Sequence, residues 1–154
     1  MPFASNGVVQ LYYEDHGSGA PIVFIHEFAG DVRSWAPQVH GLSRRFRCIA
    51  FNARGYPPSS VPETESDYGY EKAVDDVRVV MDACKLDSAH IVGLSMGGYA
   101  AMSFAMPAAN AQQKDVRMML DWIIQGTHAP FFVAQEKGYY KEGGLNVTID
   151  AGRG

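Results

Sequence analysis

The strongest chemical signal in the chain is Gly93-Leu94-Ser95-Met96-Gly97. A serine hydroxyl attacks a carbonyl only when it is held clear of its own backbone, at a sharp bend between a strand and a helix. Glycine two residues to either side permits the close backbone approach such a bend requires. Composition alone yields G-x-S-x-G by chance in roughly one chain of this length in ten or twenty, so the neighbouring sequence has to decide. An apolar run (residues 90–94) precedes the motif and a small-residue stretch (residues 96–106) follows, which supplies the strand and the helix. A helix starting there aims its free N–H groups and positive end at whatever the serine attacks, so the Met96 amide becomes a natural donor to a developing oxyanion. The second donor is expected from the loop after an earlier apolar run, HEFAGD at residues 26–31, with the Phe28 amide as the choice. Losing one such donor costs about 3–4 kcal/mol of transition-state stabilisation.

Positioning these groups requires a sheet. Residues 8–14 (VVQLYYE) are β-branched and aromatic and predict a strand, turned by DHGSGAP; residues 22–26 (IVFIH) are apolar on both faces, as in a buried parallel strand. A short helix is expected over residues 35–42, then a strand over residues 46–51 (FRCIAF). The segment 52–69, with Pro57, Pro58 and Pro62, predicts an exposed loop. Ala73, Val74, Val77, Val80, Met81 and Cys84 recur at three and four, one apolar stripe on a helix over residues 70–86, with Gly69 as cap and Glu71 suited to its positive end. The alternation of strand and helix predicts an α/β fold, a mostly parallel sheet with flanking helices. After Pro107 the pattern changes. Residues 107–115 read as a linker, 116–124 (VRMMLDWII) as a strand, 131–142 as a helix with Gly138 inside it, and 145–149 (LNVTI) as a strand.

With 154 residues, 47% of them hydrophobic, the chain can bury one ordinary core but not two full enzyme domains. A net charge of -4 supplies no basic field, which excludes nucleic acid as an expected partner, and no segment is long enough to span a bilayer. Cys48 and Cys84 fall in a strand and on a helix's apolar face, with no C-x-x-C pair, and read as core thiols. No basic n-region and apolar run opens the chain, so the expected location is cytoplasmic. The expected partner is a small-molecule substrate, with no metal or organic cofactor, and nothing in the sequence specifies an oligomeric state.

YYEDHGSGAPIVFIHEFAGDVRSW, FNARGYPPS and HIVGLSMGGY, at these separations, make residues 1–106 resemble the N-terminal half of an α/β-hydrolase domain. The resemblance implies a partial α/β-hydrolase fold and Ser95 as nucleophile. Glu27 stands where the commoner H-G-x-x-G loop has glycine, and ARGYPPS replaces Arg-Gly-x-Gly-x-Ser. His26 and Glu27 would border the substrate site, His26 ordering the loop rather than acting as a base. A serine where epoxide and haloalkane hydrolases of this fold carry aspartate implies attack on an ester, thioester, amide or activated C–C bond.

In that family an acid and then a histidine follow the serine. Here His128 is the only later histidine, with Asp115, Asp121 and Asp150 as possible acids, and none sits in a segment like the family's acid or histidine loops. The triad is therefore expected to be incomplete and activity impaired, with His128 as the substitute base. Residues 114–154 instead resemble the mature start of periplasmic binding proteins for thiamine-pyrimidine precursors or sulfonates, through Asp121-Trp122, His128-Ala129-Pro130 and residues 134–140. That likeness implies a ligand-facing Trp122 and a β-α-β segment over residues 116–154. Ala109-Asn110-Ala111 fits a signal-peptide cleavage pattern, here internal. Together these imply a fusion of a truncated hydrolase to a binding-protein start, joined near residues 103–107, and the strand at 116–123 is expected to pair beside residues 90–94. A small-molecule-binding fragment, or an inert hybrid, is the alternative function.

Other signals read as structure. Asp15-His16 is expected in a turn, Asp75-Asp76 on a solvated helix face, and Trp35 in packing; His26-Glu27 lacks the second histidine of a zinc motif, and Asn146-Val147-Thr148 is a sequon inside a strand.

Overall fold

The computed structural model describes residues 2–105, 114–119, 129–142 and 144–151. The chain divides into two compact units, Met1–Ser103 and Phe104–Gly154.

The first unit is a five-stranded sheet: β1 (Phe3–Ser5), β2 (Gln10–His16), β3 (Ala20–Ile25), β4 (Phe46–Phe51) and β5 (His90–Gly93), in the order β1-β2-β4-β3-β5. β1 and β2 are antiparallel, as are β2 and β4, whereas β3 runs parallel to both β4 and β5. The register pairs Ile25 with both Phe51 and Gly93. The carboxyl ends of three parallel strands therefore finish in one row, and the segments that follow them, from His26, Asn52 and Leu94, leave the sheet side by side. In open parallel sheets this edge is where ligands are held.

Alternation along β3 and β4 explains the layers. Ile22, Phe24, Cys48 and Ala50 point to one face, where Trp35, Val39 and Leu42 cover them from a 3-10 turn (Val32–Trp35) and α1 (Ala36–Leu42). Burying a side chain such as Phe24 is worth about 1.5–3 kcal/mol. Val23, Ile25, Ile49 and Phe51 are buried on the other face. α2 (Tyr70–Ala83) buries Val77, Val80 and Met81 along its stripe, and α3 (Met96–Ala105) follows β5. Gly69 is the N-cap of α2 and Glu71 lies in its first turn. Cys48 and Cys84 are buried free thiols whose pKa values burial pushes up.

Several expectations change. Asp15 and His16 end a strand rather than make a turn; Asp15 accepts from the Arg47 guanidinium and His16 lies 3.3 Å from Glu14. Asp76 is not solvated: it is 1% exposed and grips Arg54 at 2.6 Å. The loop after β4 is correspondingly not all exposed, because Asn52, Arg54 and Ser59 are buried in it. Ser59 Oγ donates to the Asn52 carbonyl and accepts from the Tyr12 amide, while Arg54 donates to the Asp67 carbonyl, so a proline-rich connection becomes part of the packed structure. Polar groups taken out of water need such partners.

In the second unit β6 (Lys114–Met119) runs parallel to β7 (Leu145–Asp150) in a sheet of its own. β6 meets the length of β7 residue for residue, from Lys114↔Leu145 to Met119↔Asp150. The single helix expected over residues 131–142 is two, α4 (Ala129–Glu136) and α5 (Tyr139–Glu142), broken where Gly138 takes φ +78. Asn146 donates to Asp115, Gln135 donates to the Val147 carbonyl, and Arg117 pairs with Asp150. Most of the expected linker (107–115), and Asp121, Trp122 and His128, lie outside the described residues. Among the described residues no helix is long and apolar enough to cross a membrane.

Candidate active site

The chain turns from β5 into α3 through a sharp bend at Leu94 and Ser95. Ser95 sits at φ +51, in the left-handed region that a non-glycine residue adopts only under strain. That strain is held by backbone contact on three sides. A Cβ on Gly93 would lie 2.1 Å from the Gly97 carbonyl oxygen, and one on Gly97 would lie 2.2 Å from the Ile25 oxygen and 2.6 Å from that of His26. The Leu94 amide donates to the Ile25 carbonyl at 3.2 Å, and the Gly97 amide to the Leu94 carbonyl at 2.9 Å. Both glycines of the motif are thus required by the packing of one loop on another, and the serine is exposed at the apex.

Met96 opens α3, so its N–H has no carbonyl one turn back to bond. Phe28 lies in the neighbouring loop, closed by the Gly30 amide donating to the Glu27 carbonyl at 3.0 Å, with Ala29 at φ +62. Among the described residues neither the Phe28 nor the Met96 amide has an acceptor. The Phe28 side chain is 76% exposed and packs little.

His26 is fully buried and both ring nitrogens are committed: Nε2 accepts from the Ala53 amide at 3.1 Å, which leaves the proton on Nδ1, 2.7 Å from the Glu27 carbonyl that accepts it. A ring so engaged has no lone pair to offer a serine. Its two bonds tie the segment after β3 to the segment after β4. Glu27 turns away to accept from Ser34 Oγ at 2.8 Å and fills the space a Cβ on Gly30 would need. Its second oxygen, Oε2, is buried and has no partner among the described residues. Asp31 caps the following turn through the Arg33 amide, and the Arg33 side chain holds its carboxyl below the usual range.

Sequence reasoning missed Tyr56. Its ring stands edge-on to His26 at 4.6 Å between centroids, its hydroxyl accepts from the Ala29 amide at 3.4 Å, and it donates toward Met96 Sδ at 3.8 Å. An aromatic residue directly after Arg54-Gly55 was the available signal. Trp122 and His128, expected as binding face and base, are outside the described residues. Among the described residues no group of three or more His, Cys, Asp or Glu is arranged to hold a metal.

A family described as "alpha/beta hydrolase fold" matches residues 20–120, and one described as "NMT1/THI5 like" matches residues 125–154. A putative carbamate hydrolase of Azorhizobium caulinodans is 32% identical over 111 residues, 70% of this chain and 40% of that protein. A putative non-heme bromoperoxidase of Mycobacterium tuberculosis is 32% identical over 148 residues, 94% of this chain and 55% of that protein. Among solved structures, the enol-lactonase from Burkholderia xenovorans LB400 aligns at a TM-score of 0.66 with 29% identity, covering 88% of this chain and 54% of that one. The chain therefore spans 40–55% of the length of these three proteins. The bromoperoxidase likeness covers nearly the whole chain, so it runs through the region where a join was expected, while the second family match starts at residue 125.

Proposed function

Because the chain belongs to the alpha/beta hydrolase fold family, we propose that Ser95 is the nucleophile of a serine hydrolase acting on a small ester, thioester, amide or activated C–C bond. The observation that carries this reading is Ser95 at φ +51 on a strand-to-helix bend whose glycines pack on the carbonyls after β3. In this mechanism Ser95 Oγ bonds to the substrate carbonyl carbon, and the electron pair displaced onto the carbonyl oxygen is met by the Phe28 and Met96 amides. Preorganised donors of this kind supply a large share of the barrier reduction in acyl transfer.

The proton on Ser95 needs an acceptor. His26 has no lone pair to offer and the Glu27 carboxylate accepts from Ser34; His128, the one histidine after Ser95 in these residues, is proposed as the substitute base. Without a positioned base, related centres keep about 10³–10⁴-fold catalysis over water. We propose that residues 1–154 by themselves form an impaired catalyst. A serine-directed phosphonate tests it: slow labelling at Ser95, abolished by Ser95→Ala, is the expected result, and no labelling of the folded chain sinks it.

A second reading is supported by the NMT1/THI5-like match: residues 107–154 derive from a binding protein joined to a hydrolase half near residues 103–107, and the segment serves as a small-molecule-binding fragment, with Trp122 as its stacking face. The division between Ser103 and Phe104 favours that origin. The bromoperoxidase likeness over 148 residues weighs against it.

A further inference from the structure

We propose that Tyr56 is a positioning residue that ties the loop carrying the Phe28 amide to the bend carrying Ser95 and the Met96 amide. The inference rests on the reading of those groups as the reactive centre.

Two donors serve one oxyanion only if their separation is fixed, yet they belong to different connections, after β3 and after β5. The backbone contact between Gly97 and the Ile25 and His26 carbonyls fixes the bases of the two loops. It does not reach the tip at Phe28-Ala29, which is exposed and held at φ +62 on a residue with a Cβ. A left-handed alanine costs about 1 kcal/mol or more and persists only where its surroundings insist on it. Tyr56 supplies that insistence from a third loop. Its hydroxyl uses its acceptor capacity on the Ala29 amide and its proton on Met96 Sδ, so one oxygen spans the residue after the first proposed donor and the side chain of the second. The ring cannot swing away freely, because it stands on His26 and its own amide donates to the Ala53 carbonyl at 3.1 Å. On the far side of the same loop Glu27 is bonded to Ser34, leaving the tip braced from two directions.

Tyr56→Phe removes the hydroxyl and keeps the ring. In the full chain the Ala29 amide should exchange with solvent about two- to tenfold faster, the range one net hydrogen bond supports. Residues in β3 and β4 should not change. Unchanged exchange at Ala29, or the same acceleration at every amide, overturns the tie. In phosphonate labelling of Ser95 the limiting rate should fall by a similar factor with the probe's inhibition constant unaltered. Merely structural damage would instead lower the folded fraction, read by the unfolding midpoint. A wild-type chain that the probe never labels removes the reading of Ser95 as nucleophile, while the exchange measurement still decides the tie.

Discussion

Residues Met1–Ser103 and Phe104–Gly154 share one sequence grammar of apolar runs alternating with helical stretches, and they come to different ends. In the first, three parallel strands and two antiparallel ones bury both faces of the sheet, and even polar residues such as Asp76, Arg54 and His26 are taken inside with partners. In the second, two parallel strands and two short helices carry the described structure, and Leu145 and Val147 are its buried hydrophobic residues among those described. Two strands are marginal by themselves in water. The strained serine belongs to the first unit because a positive φ needs surrounding structure able to hold it, and the carbonyls of Ile25 and His26 are that structure.

The largest effect should come from Arg54→Met, which leaves the Asp76 carboxylate buried without its cation and should cost about 3–5 kcal/mol in urea unfolding of the first unit. In the wild type, burial already raises the Asp76 carboxyl above its ordinary value, against the pull of Arg54. With the cation gone it should rise further. A folded-state pKa above the unfolded one means the folded chain holds the proton more tightly, so the stability it contributes is full below the unfolded value and lost as pH rises through the folded one. The variant should therefore regain part of its loss as pH falls from neutrality; a loss that deepens on acidification contradicts this account. Amide exchange over residues 144–151 should not move, which sharpens the separation of the two units.

Gly97→Ala should come next, at about 3 kcal/mol, because the new methyl would meet backbone rather than a flexible side chain. Phosphonate labelling at Ser95 should vanish even in the fraction that stays folded. Leu145→Ala should cost about 2 kcal/mol or more, confined to the second unit; faster exchange in β3 or β4 would break the comparison. The smallest effect has the opposite sign. Ser95→Gly relieves the left-handed strain and should stabilise the first unit by about 1 kcal/mol while abolishing labelling, as a raised unfolding midpoint would report.

Much of the parallel sheet was legible. β4 falls on the predicted residues 46–51, and α2 begins at the predicted Tyr70, because continuous apolar runs and a three-four stripe are local signals. The shift of the second strand to Gln10–His16 and the missed β1 reflect antiparallel pairing, Phe3 with Tyr12 and Asp15 with Ile49, that no local pattern announces. Asp76 was misread because a carboxylate on a helix looks solvated until a guanidinium from a distant loop arrives beside it. Tyr56 went unseen for the same reason: its meaning lies in Ala29 and Met96, 27 and 40 residues away.

By itself the sequence determined where a serine could be bent out of a strand, since glycine spacing and the flanking apolar and small-residue runs are properties of consecutive residues. Only the tertiary structure decided that His26 is spent on Glu27 and Ala53, that Glu27 faces Ser34, and that three loops meet around one tyrosine hydroxyl. Hydrogen-bond allegiance is settled by which groups are left facing each other once the strands are in register, and register is a property of the whole sheet.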